Sequence, residues 1–122
     1  MKINISELFK YRQYKDAPVY YCFDKKEYKV CNVSIVTTEA DTPYQRYLSL
    51  LQIDEKAIQD NYIKSLNNKY ISRDYQETDL HFNAFIDYQG LQSDWWKYYT
   101  RMVFDLEKIW CEVNNIKYVY DL

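Results

Sequence analysis

The most regular pattern of apolar and polar positions lies in the last third of the chain. If this segment is helical, charged residues such as Arg101 and Asp105 lie on the face opposite the apolar residues, and Ser93 precedes the helix as a candidate N-cap. Spacing of three or four places the apolar residues on one face of a helix of about twenty residues. We therefore predict a long amphipathic helix near the C-terminus, with one buried stripe. The stripe comprises Trp95, Tyr99, Met102, Val103, Leu106, Ile109, Trp110 and Val113.

Three shorter helices are predicted before the long one. Each begins at a residue whose side chain can accept a hydrogen bond from a helix N-terminal N–H group. They cover about residues 4–13, 54–66 and 78–90. The last of them ends at Gly90, the only glycine of the chain and a residue suited to the position after a helix C-terminus.

β-branched and aromatic residues predict strands at four places. Residues 19–23 and 28–36 form a hairpin, residues 44–53 a third strand or extended segment, and residues 116–120 a terminal strand. Because no Asn-Gly or Asp-Gly pair occupies the hairpin turn, the strand register stays open. The pattern predicts one α+β domain over residues 1–122. In it, a small antiparallel sheet, built from the N-terminal hairpin plus later strands, packs against about four helices.

Composition adds bounds on function and location. The chain has 15 Tyr and 1 Gly, so a Gly-rich phosphate loop is excluded. Its net charge of −2 disfavours the broad basic surface that nucleic-acid binding requires. The longest uncharged run, residues 30–38, falls well short of the about 20 apolar residues that span a bilayer. Charged residues among the first twenty positions disfavour a signal peptide, and an odd count of three Cys indicates a reducing compartment. We expect a cytoplasmic protein that is not associated with membranes.

Candidate chemistry centres on the cysteines and the single histidine. Cys22 and Cys31 face each other if the hairpin is symmetric about residues 26–27, which would permit a redox disulfide or part of a metal site. Zinc sites usually use tight Cys-x-x-Cys pairs, and the chain has none. The favoured interpretation is buried free thiols on the core face, and the same holds for Cys111. Nothing in the sequence around His81 indicates a nucleophile pair. We predict no catalytic residue, no metal site and no cofactor.

Tandem aromatic residues suggest a contact surface. Packing in the core accounts for most of them, but Trp96 lies at the edge of the predicted stripe and close to basic residues. We predict that Trp96, Tyr98 and Arg101 form any binding surface that the protein has.

Three functional hypotheses follow. The preferred one is a small non-enzymatic cytoplasmic module for protein interaction or regulation, which uses its aromatic-rich surface on a partner protein or on a second copy. An alternative is binding of single-stranded nucleic acid or a small ligand through residues 96–101, although the acidic balance disfavours nucleic acid. A third is a thiol-dependent enzyme centred on Cys22, Cys31 or Cys111.

Several short strings resemble the bacterial Uncharacterised Protein Family 0158. They are Tyr-Tyr-Cys-Phe-Asp-Lys at 20–25, Arg-Tyr-Leu at 46–48, Ile-Asp-Glu at 53–55, Tyr-Ile-Lys-Ser-Leu at 62–66, Asp-Trp at 94–95, Trp-Cys-Glu at 110–112 and Asn-Ile-Lys-Tyr at 115–118.

The chain departs from this family at two places. The usual hairpin glycine is replaced, with Tyr28 nearby, and the Gly-Ala-Phe-Arg-Arg-Phe-like string has only Phe-Asn-Ala-Phe at 82–85 as its counterpart. The family has no assigned biochemistry, so the resemblance supports the fold prediction and implies no activity.

Overall fold

A computed structural model describes residues 1–34 and 46–120. Its fold is α+β, 53% helical and 17% strand, and the longest helix lies near the C-terminus, which confirms the predicted class. The helices of the described residues are α1 (Ile5–Lys10), α2 (Glu55–Ser65), α3 (Lys69–Glu77), α4 (Phe82–Tyr88) and α5 (Gln92–Val113). The strands are β1 (Ile3–Asn4), β2 (Gln13–Tyr14), β3 (Tyr21–Asp24), β4 (Lys29–Asn32), β5 (Tyr47–Ser49), β6 (Gln52–Ile53) and β7 (Tyr118–Val119).

The chain forms two compact units. The first unit combines the residues up to Ile53 with those from Val103 onward, and the second unit runs from Asp54 to Met102. Helix α5 contributes its first half to the second unit and its second half to the first. The prediction of one domain over residues 1–122 stays a prediction.

Three small sheets make up the β structure of the first unit within the described residues. Strands β4, β3 and β5 form an antiparallel sheet in that order, which includes the predicted N-terminal hairpin. The pairs β1–β7 and β2–β6 are parallel, so the β structure is not wholly antiparallel. The predicted strand 44–53 divides into β5 and β6, which belong to different sheets, and its first two residues lie outside the described part. The predicted strand 28–36 is β4 over Lys29–Asn32, and residues 35–36 also lie outside the described part.

The hydrophobic core of the first unit lies between β3 and the second half of α5. Phe23 packs edge-on against Trp110, with ring centroids 5.9 Å apart, and Phe9 packs in the same way against Phe104 at 5.0 Å. Alternation along β3 turns Phe23 toward this core and its neighbour Cys22 to the other face of the sheet. The buried members are Ile3, Ile5, Leu8, Phe23, Leu50, Phe104, Trp110, Cys111 and Ile116.

An ion pair between a half-buried arginine and a buried aspartate anchors the hairpin turn of the first unit. Arg46 donates hydrogen bonds from Nε and Nη2 to the two carboxylate oxygens of Asp24, each at 3.0 Å. The backbone N–H groups of Lys26 and Glu27 donate to the same carboxylate. Tyr28 closes the turn with a φ of +59°, in the left-handed region that favours glycine. Tyr28, a residue with a large side chain, therefore adopts the backbone conformation that suits a glycine in a hairpin turn.

Aromatic side chains fill the second unit. Trp95 of α5 contacts Phe82 at 4.7 Å and Tyr62 at 5.2 Å between ring centroids. The Tyr62 hydroxyl donates to Asp94 at 2.7 Å, and Tyr75 of α3 packs against Phe82 at 5.9 Å. Aromatic rings from α2, α3, α4 and α5 thus meet in one cluster, which includes Tyr62, Tyr75, Tyr98 and Tyr99.

Several helix boundaries differ from the predictions. The first helix ends at Lys10 and not near residue 13, because Gln13 belongs to β2 and its side-chain oxygen accepts the backbone N–H of Tyr20. Helix α4 begins at Phe82, four residues later than predicted, and α5 begins at Gln92, one residue before the proposed N-cap Ser93. Helix α3 was not predicted at all.

The end of α4 agrees with the sequence. Gly90 has a φ of +70°, its N–H donates to Asp87, and the N–H of Leu91 donates to Ile86. These two bonds define a Schellman motif, in which a left-handed residue terminates a helix. Asn115 takes the same role after α5, with a φ of +57°.

The predicted stripe of α5 is only partly right. Trp95, Tyr99, Val103 and Trp110 are buried, but Ile109 is 54% and Val113 74% exposed. The buried face winds around the helix, since its members mostly recur every four residues and each such step advances about 40°. In the second half of α5, Phe104, Glu107 and Cys111 are buried although they were not part of the predicted stripe.

Candidate functional site

The three residues predicted to form a binding surface lie on the first half of α5. Trp96 is 53% exposed and Arg101 is exposed, whereas Tyr98 is half-buried against Tyr62, with ring centroids 5.1 Å apart. At about 100° per residue, Trp96 and Tyr98 point to nearly opposite sides of the helix. The structure therefore does not bring the three side chains onto one surface, and their binding role stays a prediction.

Helix α3 offers a different candidate because basic and acidic residues occupy neighbouring parts of its surface. None of its residues is buried, and Asn68 caps it by accepting the backbone N–H groups of Tyr70 and Ile71. Lys69 and Arg73 lie one turn apart on one side of the helix. Glu77 lies about 40° and Asp74 about 100° further round the helix from Arg73.

The acidic side of α3 borders a cleft of about 270 Å³. Tyr88 stands at its rim and is 81% exposed, Leu80 is also exposed, and the buried ring of Phe85 forms its floor. Asp74 and Glu77 are the carboxylates that line it. We call these five residues the acidic cleft. An aromatic ring beside two carboxylates suits an organic cation, because the ring face and the carboxylates both attract positive charge.

The basic side of α3 borders a groove of about 460 Å³, which we call the basic groove. Its charged lining residues are Lys64, Lys69 and Arg73, and no carboxylate lines it in the described residues. Exposed Tyr70 lies close by, with Lys69 Nζ 5.4 Å and Arg73 Cζ 5.7 Å from its ring centroid. Cations beside an exposed ring suit a ligand that carries phosphate and a flat base.

A second groove, of about 480 Å³, shares Gln76 with the basic groove. It includes Lys56, Tyr75 and the lone histidine, His81. His81 is exposed at the N-cap of α4 and makes no side-chain capping hydrogen bond there. The cysteines belong to the first unit and His81 to the second.

A hydrogen-bonded triad, two of whose members line this second groove, ties α2 to α3. Lys56 Nζ donates to the Tyr75 hydroxyl at 2.6 Å, the Tyr75 hydroxyl donates to Asp60 Oδ1 at 2.7 Å, and Lys56 Nζ lies 3.1 Å from the same oxygen. Burial raises the pKa of Tyr75. Burial would also raise the pKa of Asp60, but the hydrogen bonds from Tyr75 and Lys56 outweigh it and lower that pKa. Because the phenol keeps its proton and already donates it, the triad is suited to holding two helices together and not to abstracting a proton.

The hairpin cysteines are opposite each other. Cys22 of β3 pairs with Cys31 of β4, and their sulfur atoms are 3.4 Å apart as free thiols. Cys22 and Cys111 are buried, as predicted, and Cys31 is half-buried. Cys22 is a buried core residue, as predicted, although it alternates away from the cluster that contains Phe23, and the half-burial of Cys31 agrees with the prediction only in part.

Glu107 is the one carboxylate that α5 directs into the first unit's interior. It is 1% exposed, and no described residue provides a hydrogen-bond partner for its Oε2 atom. Burial raises the pKa of Glu107 to about 7.

No group of three or more His, Cys, Asp or Glu side chains is arranged to hold a metal ion in residues 1–34 and 46–120. No helix in the same ranges combines the length and apolar character needed to cross a membrane.

Comparisons of the chain with family models, with curated proteins and with solved structures gave no match. The resemblance to Uncharacterised Protein Family 0158 stays a prediction.

Proposed function

We propose that the chain is a non-enzymatic cytoplasmic binding module and that the acidic cleft is its protein-binding site. Its occupant is a basic segment of a partner protein, which places a Lys or Arg side chain between Tyr88 and the two carboxylates. This keeps the sequence-based hypothesis of a protein-interaction module but moves the contact from residues 96–101 to the end of α3 and α4.

The observation that carries this proposal is the exposure of Tyr88 beside a concave, negatively charged surface. A tyrosine that is 81% exposed contributes contact area at low conformational cost, and such residues are enriched where proteins bind partners. The buried ring of Phe85 gives the cleft a rigid apolar floor, and Leu80 adds an exposed apolar rim.

Charge complementarity selects the occupant. Asp74 and Glu77 are exposed, and within the described residues the only ion pair that either forms is a long one of 3.9 Å between Arg73 and Asp74. An arriving cation would gain both carboxylates and the face of Tyr88, whereas an acidic segment would be repelled.

The test is fluorescence anisotropy with a labelled peptide of alternating Arg and Leu. We expect Tyr88→Ala to weaken binding roughly tenfold, as for the loss of an aromatic anchor. Asp74→Asn combined with Glu77→Gln should weaken binding at low salt and have less effect at high salt, since screening already reduces the charge contribution.

Two controls make the result specific. A peptide with Glu in place of Arg should not bind, and the charge-matched variant Asp16→Asn with Glu27→Gln should bind like the wild-type protein. Equal affinity of wild type and Tyr88→Ala, or equal loss in the two carboxylate variants, would contradict the proposal.

A second candidate function is binding of single-stranded nucleic acid in the basic groove. The specific observation is the grouping of Lys64, Lys69 and Arg73 beside exposed Tyr70, in a chain whose net charge is −2. This grouping gives a local cationic surface that the overall balance of charge conceals.

Anisotropy with a labelled oligothymidylate tests this second candidate. Lys69→Gln with Arg73→Gln should weaken binding and reduce the slope of log affinity against log salt by about 0.7 for each cation removed. The matched variant Lys97→Gln with Arg101→Gln should leave binding unchanged. Loss of binding in the second variant alone would instead favour residues 96–101 as the site.

A further inference from the structure

The face of the hairpin that carries Cys22 and Cys31 has no role in the binding proposals above. The two residues are directly opposed across β3 and β4, so their side chains share one face of the sheet. Their sulfur atoms are 3.4 Å apart, whereas those of a disulfide are about 2.05 Å apart. The separation is short enough for small side-chain rotations to close it.

The backbone also permits a covalent bond. The N–H of Val33 donates to the carbonyl oxygen of Tyr20 at 2.9 Å, and antiparallel pairs alternate between hydrogen-bonded and non-hydrogen-bonded types. Two residues further along, Cys22 and Cys31 therefore form a hydrogen-bonded pair, for which the Cα separation is about 5.5 Å. That value lies within the range of about 4.4–6.8 Å found in disulfides.

Access to the two thiols is unequal. Cys22 lies on the central strand between Cys31 and Ser49 and is buried, whereas Cys31 is half-buried on an outer strand and Ser49 is exposed. Burial, followed by the hydrogen bond with Cys31, raises the pKa of Cys22 to about 12. A reagent in solution therefore reaches Cys31 first.

We propose that Cys22 and Cys31 are a redox modification site and form a reversible disulfide on exposure to a small-molecule disulfide such as the glutathione type. The Cys31 sulfur, after losing its proton, bonds to one sulfur of the small disulfide, whose S–S bond breaks and releases one thiolate. Cys22 then loses its proton and attacks the Cys31 sulfur, which releases the second thiolate. The two cysteines lose two electrons and two protons, and the small disulfide is reduced to two thiols.

The new disulfide would cross-link the two strands of the hairpin that carries the Asp24 carboxylate. Because β3 and β4 are adjacent strands, the cross-link restrains their separation in the unfolded chain and opposes local opening of the ladder. Cys111, which is fully buried on α5, provides an internal comparison because no described cysteine lies beside it.

The experiment is incubation of the full chain in glutathione buffers of rising oxidised fraction, followed by alkylation, trypsin digestion without reduction, and mass spectrometry. Trypsin can cut after Lys25, Lys26 and Lys29, so Cys22 and Cys31 fall in separate peptides that stay joined only if they are disulfide-bonded. We expect a linked pair of these peptides, an alkylated Cys111, and a melting temperature that rises on oxidation and falls back with dithiothreitol.

Variants separate the steps. Cys22→Ser should stop the reaction at a stable glutathione adduct on Cys31, and Cys31→Ser should give little adduct. Cys111→Ser should still form the bond and show the same rise in melting temperature. A persistent Cys31 adduct in wild type without a linked peptide, or a bond that involves Cys111, would overturn the proposal. The near-ultraviolet circular dichroism spectrum of each variant establishes that it is folded before the comparison.

Discussion

Arg46 holds Asp24 through two parallel hydrogen bonds, although 22 residues separate them in the sequence. Each belongs to one of the strings that resemble Uncharacterised Protein Family 0158. The pair joins the hairpin turn to the start of β5, and the Lys25 N–H reinforces it by donating to the Arg46 carbonyl at 2.8 Å. These two strings therefore meet in a structural contact.

Arg46→Lys should destabilise the first unit because an ammonium group cannot reproduce the two-point contact of a guanidinium. Arg46→Ala should have a larger effect, about 3 kcal/mol, since it leaves a buried carboxylate without its cation. Urea unfolding at pH 7 measures both. Asp24→Asn combined with Arg46→Ala should recover part of the loss, and no recovery would mean that the pair is not coupled.

The same pair should contribute to acid sensitivity. The Arg46 hydrogen bond lowers the pKa of Asp24 in the folded state, so the unfolded chain takes up a proton first as pH falls. The stabilisation is therefore present above the unfolded value of about 3.9 and is lost as pH falls through the folded value. Stability measured between pH 5 and pH 2 should decline less steeply in Arg46→Ala than in wild type.

Glu107 should give the opposite pH dependence. Burial raises its folded pKa to about 7, from an unfolded value of about 4.5. The folded state thus favours the protonated form, and stability should fall as pH rises from about 4.5 to about 7. Glu107→Gln, which imitates the neutral acid, should remove this decline and raise stability at pH 8 by about 3 kcal/mol. Thermal unfolding across this range measures the difference, and parallel curves for the two proteins would contradict the assigned burial effect.

Tyr28 should stabilise the fold more than a glycine would, although its backbone conformation suits glycine. Its ring packs edge-on against Phe23 at 5.3 Å, and its hydroxyl accepts the backbone N–H of Lys117. Tyr28→Gly relieves a left-handed backbone worth about 1 kcal/mol but loses both contacts, so we expect a net loss of stability of about 1–2 kcal/mol. Tyr28→Phe isolates the hydrogen bond and should lose about 1 kcal/mol. A glycine variant more stable than wild type would show that strain dominates.

Substitution of Gly90 should destabilise the fold through backbone strain alone. An added Cβ would meet no atom within 4 Å, so Gly90→Ala carries no steric clash and only the strain of a φ of +70°. We expect a loss of about 1 kcal/mol, measured by chemical unfolding. Gly90→Asn should lose less because asparagine tolerates the left-handed region, and equal losses in the two variants would contradict this account.

Local patterns in the sequence predicted the elements whose signals are local. The caps at Asn4, Asp54 and Gly90 and the buried Trp95 follow from neighbouring residues, so they could be read from the chain. The exposure of Ile109 depends on how the buried face winds along α5, which a fixed three-four spacing does not reveal.

The candidate sites needed tertiary structure. The signals for α3 were present, since Asn68 is a good N-cap and Lys69 and Arg73 are one turn apart, but α3 lacks a buried stripe. The acidic cleft forms only when α4 brings Tyr88 to the same cleft as Asp74, and the pairing of Cys22 with Cys31 depended on a turn whose register no glycine marked.

The left-handed positions have a consequence for the unfolded chain. In the described residues, Gly90 is the only glycine among them, and Asp16, Tyr28, Asn67 and Asn115 hold the others. A residue with a side chain explores fewer backbone conformations than glycine when unfolded, so folding removes less entropy at each of these turns. Each of these four residues has some local strain in the native state but restricts the denatured ensemble more than a glycine would. Turns that are strained in the native structure can thus favour folding because they lower the conformational entropy of the unfolded chain.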